Sequence, residues 1–594
     1  MKKIRIGGAS GFWGDAPLAS EQLISKGNID YLVSDYLAEI TMSIMARARA
    51  KDEKLGFAAD FINDLIKPNL LEIANKGIKI ISNAGGVNPI ACSKILEELI
   101  SESGLDLKVT TILGDDLIKE IDELSNQNYA EMYSKEEFPE KDKVLSVNAY
   151  LGAFPIAEAL ADGADIIITG RNVDSAVTLG ACIYEFGWSK DDVNQLAGGS
   201  LAGHILECGT QTTGGNFTDW KETIDNLADI GYPIAEISED GTFICCKPDN
   251  TGGLVNKGTV SEQMLYEIGD PQAYILPDVI CDFSEVEIEN IGKDRVLVKK
   301  VKGYKAPDHY KVSLTYKEGF RGGVMLTYYG IEANKKADKF SKVAFERARQ
   351  IFRKNNIADF TETSVEIIGN ESQYGEHSLI DGSREVVAKI AAKHDDAEGI
   401  NILLREITGL GLSTPPGLSG FAGTRPRPSP VVRLFSFAIP KEKVSIKIVS
   451  NANEKNFIDH LEKSIDTKNI KRPEEPKISE GDNKEMTSVP LIQVAWGRSG
   501  DKGNKANIGI IARSEVYYPY ICRALTTDLI QNRFSHFLEG EVERFLLPGS
   551  NSINFLLHDV LGGGGVASLR NDPQGKGYAQ LILDTPIPIA KDLL

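Results

Sequence analysis

Two ionisable side chains at helical spacing are the first candidates for proton transfer. His204 and Glu207 occur in GGSLAGHILECGTQTTGG, and residues three positions apart lie on one face of a helix. The pair could share a proton or contribute to a metal site, whereas a structural histidine with a satisfied hydrogen bond is the alternative. No further histidine or aspartate stands at a metal-ligand spacing. We therefore predict that His204 and Glu207 act in acid–base catalysis and predict no metal site.

A second group of polar residues follows an apolar run in ADIIITGRNVDSAVTLG. The run predicts a strand, which places Thr169, Gly170 and Arg171 at its end and Asp174 in the opening turn of the next helix. An arginine in this position can hold a carboxylate through two hydrogen bonds. We expect the first three residues to bind substrate and Asp174 to take part in catalysis. The alternative is that Asp174 caps the helix and pairs with Arg171.

The segment ISNAGGVNP also follows a predicted strand and could bind an anion. Asn83, Gly85, Gly86 and Asn88 would present amides and backbone N–H groups to a carboxylate or phosphate. Pro89 suits the first turn of the following helix. A tight turn with Asn88 as the helix N-cap is an equally good interpretation.

The opening segment GGASGFWG raises the possibility of dinucleotide binding. Gly8, Gly11 and Gly14 follow a short strand-like run, and Asp35 stands where a ribose-binding carboxylate would be expected. Pro17, however, places the start of the helix away from Gly11, whereas a dinucleotide loop needs a helix N-terminus facing the pyrophosphate. We favour a tight substrate loop, with a nicotinamide-dependent oxidoreductase as the alternative.

Two glycine-rich loops near the C-terminus carry basic residues. AWGRSGDKGNKANIG contains Arg498, Lys502 and Asn504, and LGGGGVASLRNDPQGKG contains Arg570. Glycines allow the backbone to approach an anion while the cations neutralise it. We predict a phosphate or carboxylate site formed by these four residues, and a solvated hairpin is the alternative.

The elements that must position these residues indicate an α/β protein of several domains. Strand-like runs alternate with helical stretches over residues 1–228, which predicts an open parallel sheet with ligands bound at the carboxyl ends of its strands. Residues 229–464 predict a second lobe of the α+β class. Residues 465–488 form a charged, proline-containing linker, and residues 489–594 predict a small ferredoxin-like α+β domain.

The composition of the chain disfavours some classes of function. The 594 residues carry a net charge of −19, which disfavours binding to nucleic acid or to an anionic membrane. No apolar run approaches the roughly 20 residues of a membrane helix. The seven cysteines are scattered without paired spacing. We expect a cytoplasmic protein without nucleic-acid or membrane partners.

The motifs GGVNP, ITGRNVDSA, GHILECGTQTTGG and AWGRSGDKGN, in this order, resemble those of the acyclic terpene utilisation protein family, the AtuA-like proteins. The resemblance extends over nearly the whole chain, including the small C-terminal domain. It implies a place beside acyl-CoA carboxylases, dehydrogenases and enoyl-CoA hydratases in terpenoid or branched-chain acid catabolism. It implies no catalytic residues, so the site residues above rest on their own chemistry.

Together these features predict an enzyme that hydrates, dehydrates or otherwise acts as a lyase on a branched acyl-CoA or carboxylate. Arg171 and the loop 83–88 would hold the carboxylate or thioester, His204 or Glu207 would move the proton, and the C-terminal loops would hold phosphates. We predict no cofactor beyond CoA as part of the substrate, and we expect a homo-oligomer that associates with acyl-CoA carboxylase pathway enzymes. A non-catalytic subunit of an acyl-CoA-metabolising complex is the alternative from a different class.

Overall fold

The computed structural model describes residues 2–15, 17–420, 425–450, 453–459, 464–478 and 485–594. Its first third alternates strands with helices. In chain order these are β1 (Lys3–Gly8), α1 (Leu18–Lys26), β2 (Tyr31–Ser34), α2 (Glu39–Lys51), α3 (Lys67–Lys76), β3 (Lys79–Ser82), α4 (Pro89–Glu102), β4 (Val109–Leu113), α5 (Ile121–Asn126), β5 (Val144–Ala149), α6 (Phe154–Ala161), β6 (Ile166–Thr169), α7 (Ala176–Phe186) and α8 (Val193–Leu206).

Five of these strands form a parallel sheet in the order β1-β2-β3-β6-β4. Both faces of the sheet are covered by helices, and this explains why its inner strands are almost continuously apolar. Ile166 and Ile168 of β6 pack with helices α1 to α4, whereas Ile167 packs with α6, α7 and α8 on the opposite face. The predicted open parallel sheet is confirmed as part of a mixed α/β fold.

The middle of the chain adds antiparallel strands to this sheet and builds a second one. Its elements are β7 (Ile234–Ser238), β8 (Phe243–Cys246), α9 (Lys257–Met264), β9 (Tyr274–Ile275), β10 (Ile280–Asp282), β11 (Glu287–Gly292), β12 (Arg295–Lys299), β13 (Lys302–Tyr304), β14 (His309–Tyr329), α10 (Ala333–Asn355), β15 (Glu362–Ile368), β16 (Glu385–His394), α11 (Ala397–Gly409), β17 (Leu418–Ser419), β18 (Ser429–Pro440), β19 (Ile446–Ser450) and β20 (Asn453–Phe457).

Six strands from this region extend the N-terminal sheet. Within the described residues the sheet has 11 strands, in the order β11-β12-β8-β7-β1-β2-β3-β6-β4-β19-β20. The segment predicted as a separate lobe over residues 229–464 is therefore partly built into the first lobe. Hydrogen bonds connect the two regions, for example between strands β1 and β7, which are far apart in sequence.

The second sheet is organised around β14, a strand of 21 residues. It pairs with β5 and β18 along its first half and with β16 and β17 along its second half, and β15 pairs with β16. Helices α10 and α11 cover one face of the second half through a separate apolar core. Strand β14 therefore connects β5 of the first lobe to this helix-covered sheet through continuous strand pairing.

The C-terminal region forms a compact α+β domain. Its elements are β21 (Met486–Pro490), β22 (Ala495–Lys502), β23 (Lys505–Ala512), α12 (Tyr518–Ala524), α13 (Thr527–Arg533), β24 (Val542–Leu547), β25 (Ser552–Leu557), α14 (Tyr578–Ile582) and β26 (Pro586–Ala590). Four strands form an antiparallel sheet in the order β22-β23-β25-β24, and β21 pairs with β26. In the preceding segment, Arg472 binds Asp270 through two hydrogen bonds of 2.7 and 2.6 Å.

The C-terminal sheet packs against the start of the middle region. Asp219 accepts two hydrogen bonds of 2.6 Å from the Arg513 guanidinium and one of 2.7 Å from the Trp496 indole. The side-chain amide of Asn507 donates to the Leu265 carbonyl at 2.5 Å. Asn554 donates to the neighbouring loop at Gly269 O, 2.7 Å away. This docking brings the hairpin between β22 and β23 to the edge of the first lobe.

Candidate active site

The carboxyl ends of the parallel strands carry buried polar groups that hold one another. Asp115, after β4, accepts hydrogen bonds from the Arg171 backbone N–H at 2.8 Å and from the Asn148 amide at 2.9 Å. Burial raises the pKa of the Asp115 carboxyl to about 7. This network fixes the backbone at the end of β6, from which the next residues enter the site.

Arg171 is buried and its guanidinium is held from several sides. It donates to the Leu37 carbonyl at 2.8 Å and to Asp174 Oδ1 at 2.7 Å, and its Cζ lies 4.2 Å from the centre of the Tyr150 ring. Burial alone would lower the pKa of Arg171, but Tyr150, Asp174 and Glu39 raise it well above its ordinary value. The arginine therefore stays charged and orients the Asp174 carboxylate.

Helix α8 presents the predicted histidine next to Asp174. A Cβ on Gly203 would lie 2.7 Å from the Ser175 Cα, so the glycine lets α8 approach the start of α7 closely. His204 Nδ1 is 2.7 Å from Glu207 Oε1, as the three-residue spacing predicted. His204 Nε2 is buried and has no hydrogen-bond partner among the described residues. His204 is also one of the residues that line the cavity described below.

The two partners shift each other's protonation. Burial lowers the pKa of His204, but the charge of Glu207 and its hydrogen bond outweigh burial, so the pKa of the imidazole lies above its ordinary value. Burial raises the pKa of Glu207, and His204 opposes that shift. When Nε2 gains a proton, the imidazole becomes positively charged. The Glu207 carboxyl group at Nδ1 stabilises that charge.

His204, Glu207 and Asp174 open into one cavity of about 340 Å³, here called the His204 cavity. Its other polar residues are Tyr133, Tyr150, Ser175, Asp270, His309, Lys311, Lys502 and Lys505. Its remaining walls are largely apolar and include Met132, Val173, Ala273, Tyr274, Ile275, Leu276, Pro277, Pro307, Ala438 and Leu556. An apolar chamber with a few convergent polar groups is the usual form of a small-molecule site.

Two lysines of the C-terminal domain reach this cavity. Lys502 Nζ lies 5.4 Å from the centre of the Tyr274 ring, and Lys505 Nζ lies 4.3 Å from that of Tyr133. Burial would lower the pKa of Lys502, but Tyr274, Glu267 and the nearby carboxylates raise it, so its ammonium group stays charged. The cavity wall is thus built by two domains, and Lys502 supplies a partly buried positive charge close to the His204–Glu207 pair.

A third lysine, Lys311 of β14, belongs to a network on another wall. Its Nζ lies 4.7 Å from the centre of the Tyr150 ring and 3.8 Å from Glu39 Oε1. Tyr150 donates its hydroxyl hydrogen to Glu39 at 2.5 Å. Burial opposes ionisation of Glu39, but Lys311 and Arg171 lower its pKa to about 2. These groups hold Tyr150 and Lys311 in place at the cavity surface.

Comparison with known sequences gives the chain a family. The sequence model described as "Acyclic terpene utilisation family protein AtuA" matches residues 4–450. The chain belongs to the AtuA family. The model of the AtuA ferredoxin-like domain matches residues 489–588, which confirms the predicted ferredoxin-like C-terminal domain. The family's description connects it with acyclic terpene utilisation. No curated protein and no solved structure matches the chain.

In this AtuA-family chain, the other residues predicted to bind substrate lie beside the cavity rather than in it. Asn83 is buried, with its amide donating to Asp35 and its oxygen accepting from the Tyr36 N–H at 2.8 Å. Asn88 donates at 2.8 Å to two carbonyls of the loop after α2. Thr169 donates to the adjacent Gly170 carbonyl at 2.9 Å. These side chains thus form hydrogen bonds with neighbouring protein groups.

The two glycines of the same predicted loop serve close packing. A Cβ on Gly85 would meet the Thr169 carbonyl, and one on Gly86 would meet the side chain of Met45. Gly86 and Asn88 line a separate cavity of about 300 Å³, together with residues such as Arg49 and Asp116. Substrate binding by the loop 83–88 stays a prediction.

The four residues predicted to bind one anion in the C-terminal domain have different neighbours. Arg498 donates to the Asn216 carbonyl at 2.9 Å and stacks on Tyr266 at 4.7 Å. The Asn504 side-chain amide donates a hydrogen bond to Asp559, and its oxygen accepts one from the Gly563 backbone N–H. Lys502 lines the His204 cavity, whereas Arg570 lines a different one, and the structure does not gather the set around a single point.

The opening glycines of the AtuA region pack against the end of α8. A Cβ on Gly8 would lie 2.7 Å from the Leu206 carbonyl oxygen, and one on Gly11 would lie 3.0 Å from the Cys208 backbone. Helix α1 begins only at Leu18, as the position of Pro17 predicted. Asp35 is buried, where burial and Asp174 raise the pKa of its carboxyl. The glycines thus hold the His204 helix in position.

Sequence reasoning missed Tyr150, Tyr274, Lys311 and Glu39. Lys311 alternates with apolar residues in HYKVSLTYKEG, which marks it as pointing away from the core of its strand, but its position relative to His204 depends on pairing between β5 and β14. Within the described part of the chain, no cluster of three or more histidine, cysteine, aspartate or glutamate side chains could hold a metal ion. Nor is any of the described helices both long and apolar enough to cross a membrane.

Proposed function

We propose that the His204 cavity is the active site of a lyase that adds water to, or removes it from, a branched acyl thioester or carboxylate in acyclic terpenoid or branched-chain acid catabolism. The observation that carries the proposal is that His204, whose buried Nε2 has no hydrogen-bond partner among the described residues, lines an apolar chamber together with Lys502. The family's connection with acyclic terpenes agrees with a branched hydrocarbon substrate.

The apolar wall and the lysines of the cavity would bind different parts of the substrate. Side chains such as Val173, Ile275 and Leu276 would contact the branched hydrocarbon, because burial of apolar surface supplies most of the binding energy for such a group. Lys502 and Lys311 would face the carboxylate or the thioester carbonyl. A positive charge near that oxygen stabilises the enolate that forms when the neighbouring carbon loses a proton.

The proton transfers follow from the fixed orientation of His204. In the dehydration direction, Nε2 would remove a proton from the carbon next to the carbonyl, and the electron pair would form the new double bond. The bond between the β-carbon and its hydroxyl group would break, and the hydroxyl would leave as water after receiving a proton. The His204 imidazolium formed in the first step would return its proton to that hydroxyl, and the Asp174 carboxylate, oriented by Arg171, would accept a hydrogen bond from the departing water. Hydration is the same path reversed.

The test is mass spectrometry of the pure protein with branched 3-hydroxyacyl-CoA thioesters, the matching enoyl-CoA thioesters and the free acids. We expect gain or loss of one water. His204→Gln should lower the rate roughly 10²–10⁴-fold, the usual contribution of a general acid–base group. His558→Gln is the matched control, because His558 Nε2 also lies 2.7 Å from a glutamate, Glu543, but lies outside the cavity.

Three outcomes would count against the proposal. Turnover that depends on a nicotinamide cofactor would favour the oxidoreductase alternative. No turnover of any thioester or acid by the wild-type protein would favour a non-catalytic subunit. Equal loss of water-adding activity in the His204 and His558 variants would show that the effect does not arise at His204.

A further inference from the structure

A second cavity lies between the β14–β16 sheet and the C-terminal domain. It has a volume of about 360 Å³ and is here called the arginine cleft, after Arg321, Arg427 and Arg570. Val324 and Leu326 of β14 pack towards α10 and α11, so Arg321 lies on the opposite, uncovered face of the strand. The loop around Ser568 closes the cleft from the side of the C-terminal domain.

The cleft is strongly cationic in a protein whose net charge is −19. Besides the three arginines it is lined by Lys389, and no carboxylate is among its described lining residues. Glu366, which is outside the lining, forms an ion pair with Lys389. Glu366 also accepts hydrogen bonds from Asn571 N at 3.1 Å and from the Gln373 amide at 2.6 Å. Four cations thus line the cleft, and Glu366 contacts one of them.

Two of the guanidinium groups, those of Arg321 and Arg570, are held in place by backbone carbonyls. Arg321 donates to the Ser568 carbonyl at 2.8 Å. Arg570 donates to the Phe537 carbonyl at 2.9 Å and to the Val560 carbonyl. Backbone carbonyls orient an arginine without neutralising its charge, and burial accordingly lowers the pKa of Arg321. An anion in the cleft would supply the missing negative charge.

We propose that the arginine cleft binds a small molecule that carries a phosphate group. A phosphate dianion matches several convergent guanidinium groups in both charge and hydrogen-bond geometry. Met325 and Leu569 beside the cations provide apolar contacts for an organic group attached to the phosphate.

The arginine cleft is separate from the His204 cavity, where the proposed reaction takes place. Lys311 and Arg321 lie ten positions apart on β14, a separation of roughly 33 Å at ~3.3 Å per residue. The phosphate would bridge Arg321 and Lys389 on one side and Arg570 of the C-terminal domain on the other. Binding would thus stabilise the docked position of the domain that carries Lys502.

The test is calorimetric titration with inorganic phosphate and with phenyl phosphate at constant ionic strength. We expect a dissociation constant below about 1 mM for at least one of them. Arg321→Gln and Arg427→Gln should each weaken binding at least tenfold. Arg433→Gln is the control, because Arg433 lies on β18, the strand that follows Arg427, and is paired with Glu136 and Glu318.

Melting temperatures of all variants exclude misfolding, and the exposed Arg427 is the variant least able to disturb the fold. Tighter binding of phenyl phosphate would identify a phosphate ester as the ligand, and equal or tighter binding of inorganic phosphate would identify the free ion. Absence of binding by both compounds would overturn the proposal. So would binding that neither Arg321→Gln nor Arg427→Gln weakens. Because these titrations measure binding without a substrate, their results do not depend on whether the His204 cavity catalyses a reaction.

Discussion

At the scale of residues, the His204–Glu207 pair was predictable because helical periodicity alone brings two side chains three positions apart together. The contribution of Lys502 to the same cavity was not. The sequence marked Lys502 as one of several cations between glycines, but its position 298 residues after His204 depends on how two folded surfaces dock. Local patterns determine neighbours on one element, whereas a site shared by domains depends on long-range packing.

Glu207→Gln should shift the titration of His204 to lower pH. The carboxylate raises the pKa of the imidazole against the effect of burial, and an uncharged amide would keep the hydrogen bond but remove the charge. The imidazole would then be neutral at a lower pH, so the acidic limb of any reaction that needs neutral His204 would also move to lower pH. Carbon-13 labelling of the histidine rings measures the titration without a substrate.

The corresponding control is Glu543→Gln, which changes the surface partner of His558 and should leave the His204 titration unchanged. An upward shift, or no shift, in the Glu207 variant would contradict the proposed electrostatic role.

At the scale of elements, the parallel strands were predictable and some of their neighbours were not. The run ADIIITG predicts a buried strand because a strand covered on both faces is apolar throughout. Strand β19, however, pairs with β4 more than 330 positions earlier in the chain, through contacts such as Ile448 with Ile112. Its alternating pattern shows a strand but not its partner, and this is why the boundary at residue 228 does not separate two sheets.

Gly8→Ala should disturb the element that carries His204. The added Cβ would lie 2.7 Å from the Leu206 carbonyl oxygen and 3.1 Å from the Leu206 Cβ. Because backbone atoms cannot move aside locally, the end of α8 would have to shift, at a cost of roughly 1–3 kcal/mol. We expect a lower melting temperature together with an altered His204 ring signal.

Gly409→Ala is the matched control at the end of α11, where a new Cβ would meet nothing within 4 Å. Alanine is the better helix former by about 0.5–1 kcal/mol, so this variant should be neutral or slightly more stable. A Gly8→Ala protein as stable as the wild type would show that the first lobe accommodates the methyl group.

At the scale of the whole molecule, the C-terminal domain completes the candidate site by docking on the first lobe. Asp219→Ala removes the carboxylate that binds both Arg513 and Trp496 across this interface. Losing charge-assisted hydrogen bonds of this kind costs on the order of 1.5–3 kcal/mol. We expect faster hydrogen exchange in β22 and around Leu265, with a parallel loss of activity as Lys502 leaves the cavity.

Asp584→Ala removes an ion pair of similar length, 2.7 Å to Arg533, that lies within the C-terminal domain. It should leave hydrogen exchange at the interface unchanged. If both variants behave alike, the Asp219 contacts do not hold the domains together.

The shared cavity wall has a consequence for how the protein could be encoded. If residues 4–450 and 489–588 were made as two polypeptides, the proposed site would exist only in their complex, and activity would depend on the concentration of each. In one chain the connection through residues 465–488 replaces that dependence with an effective concentration of about 1 mM, so that even a docking dissociation constant of about 10 μM would leave only about 1% of molecules open. Gene fusion thus allows a weak interface to keep the site assembled, whereas gene fission would require a much stronger one.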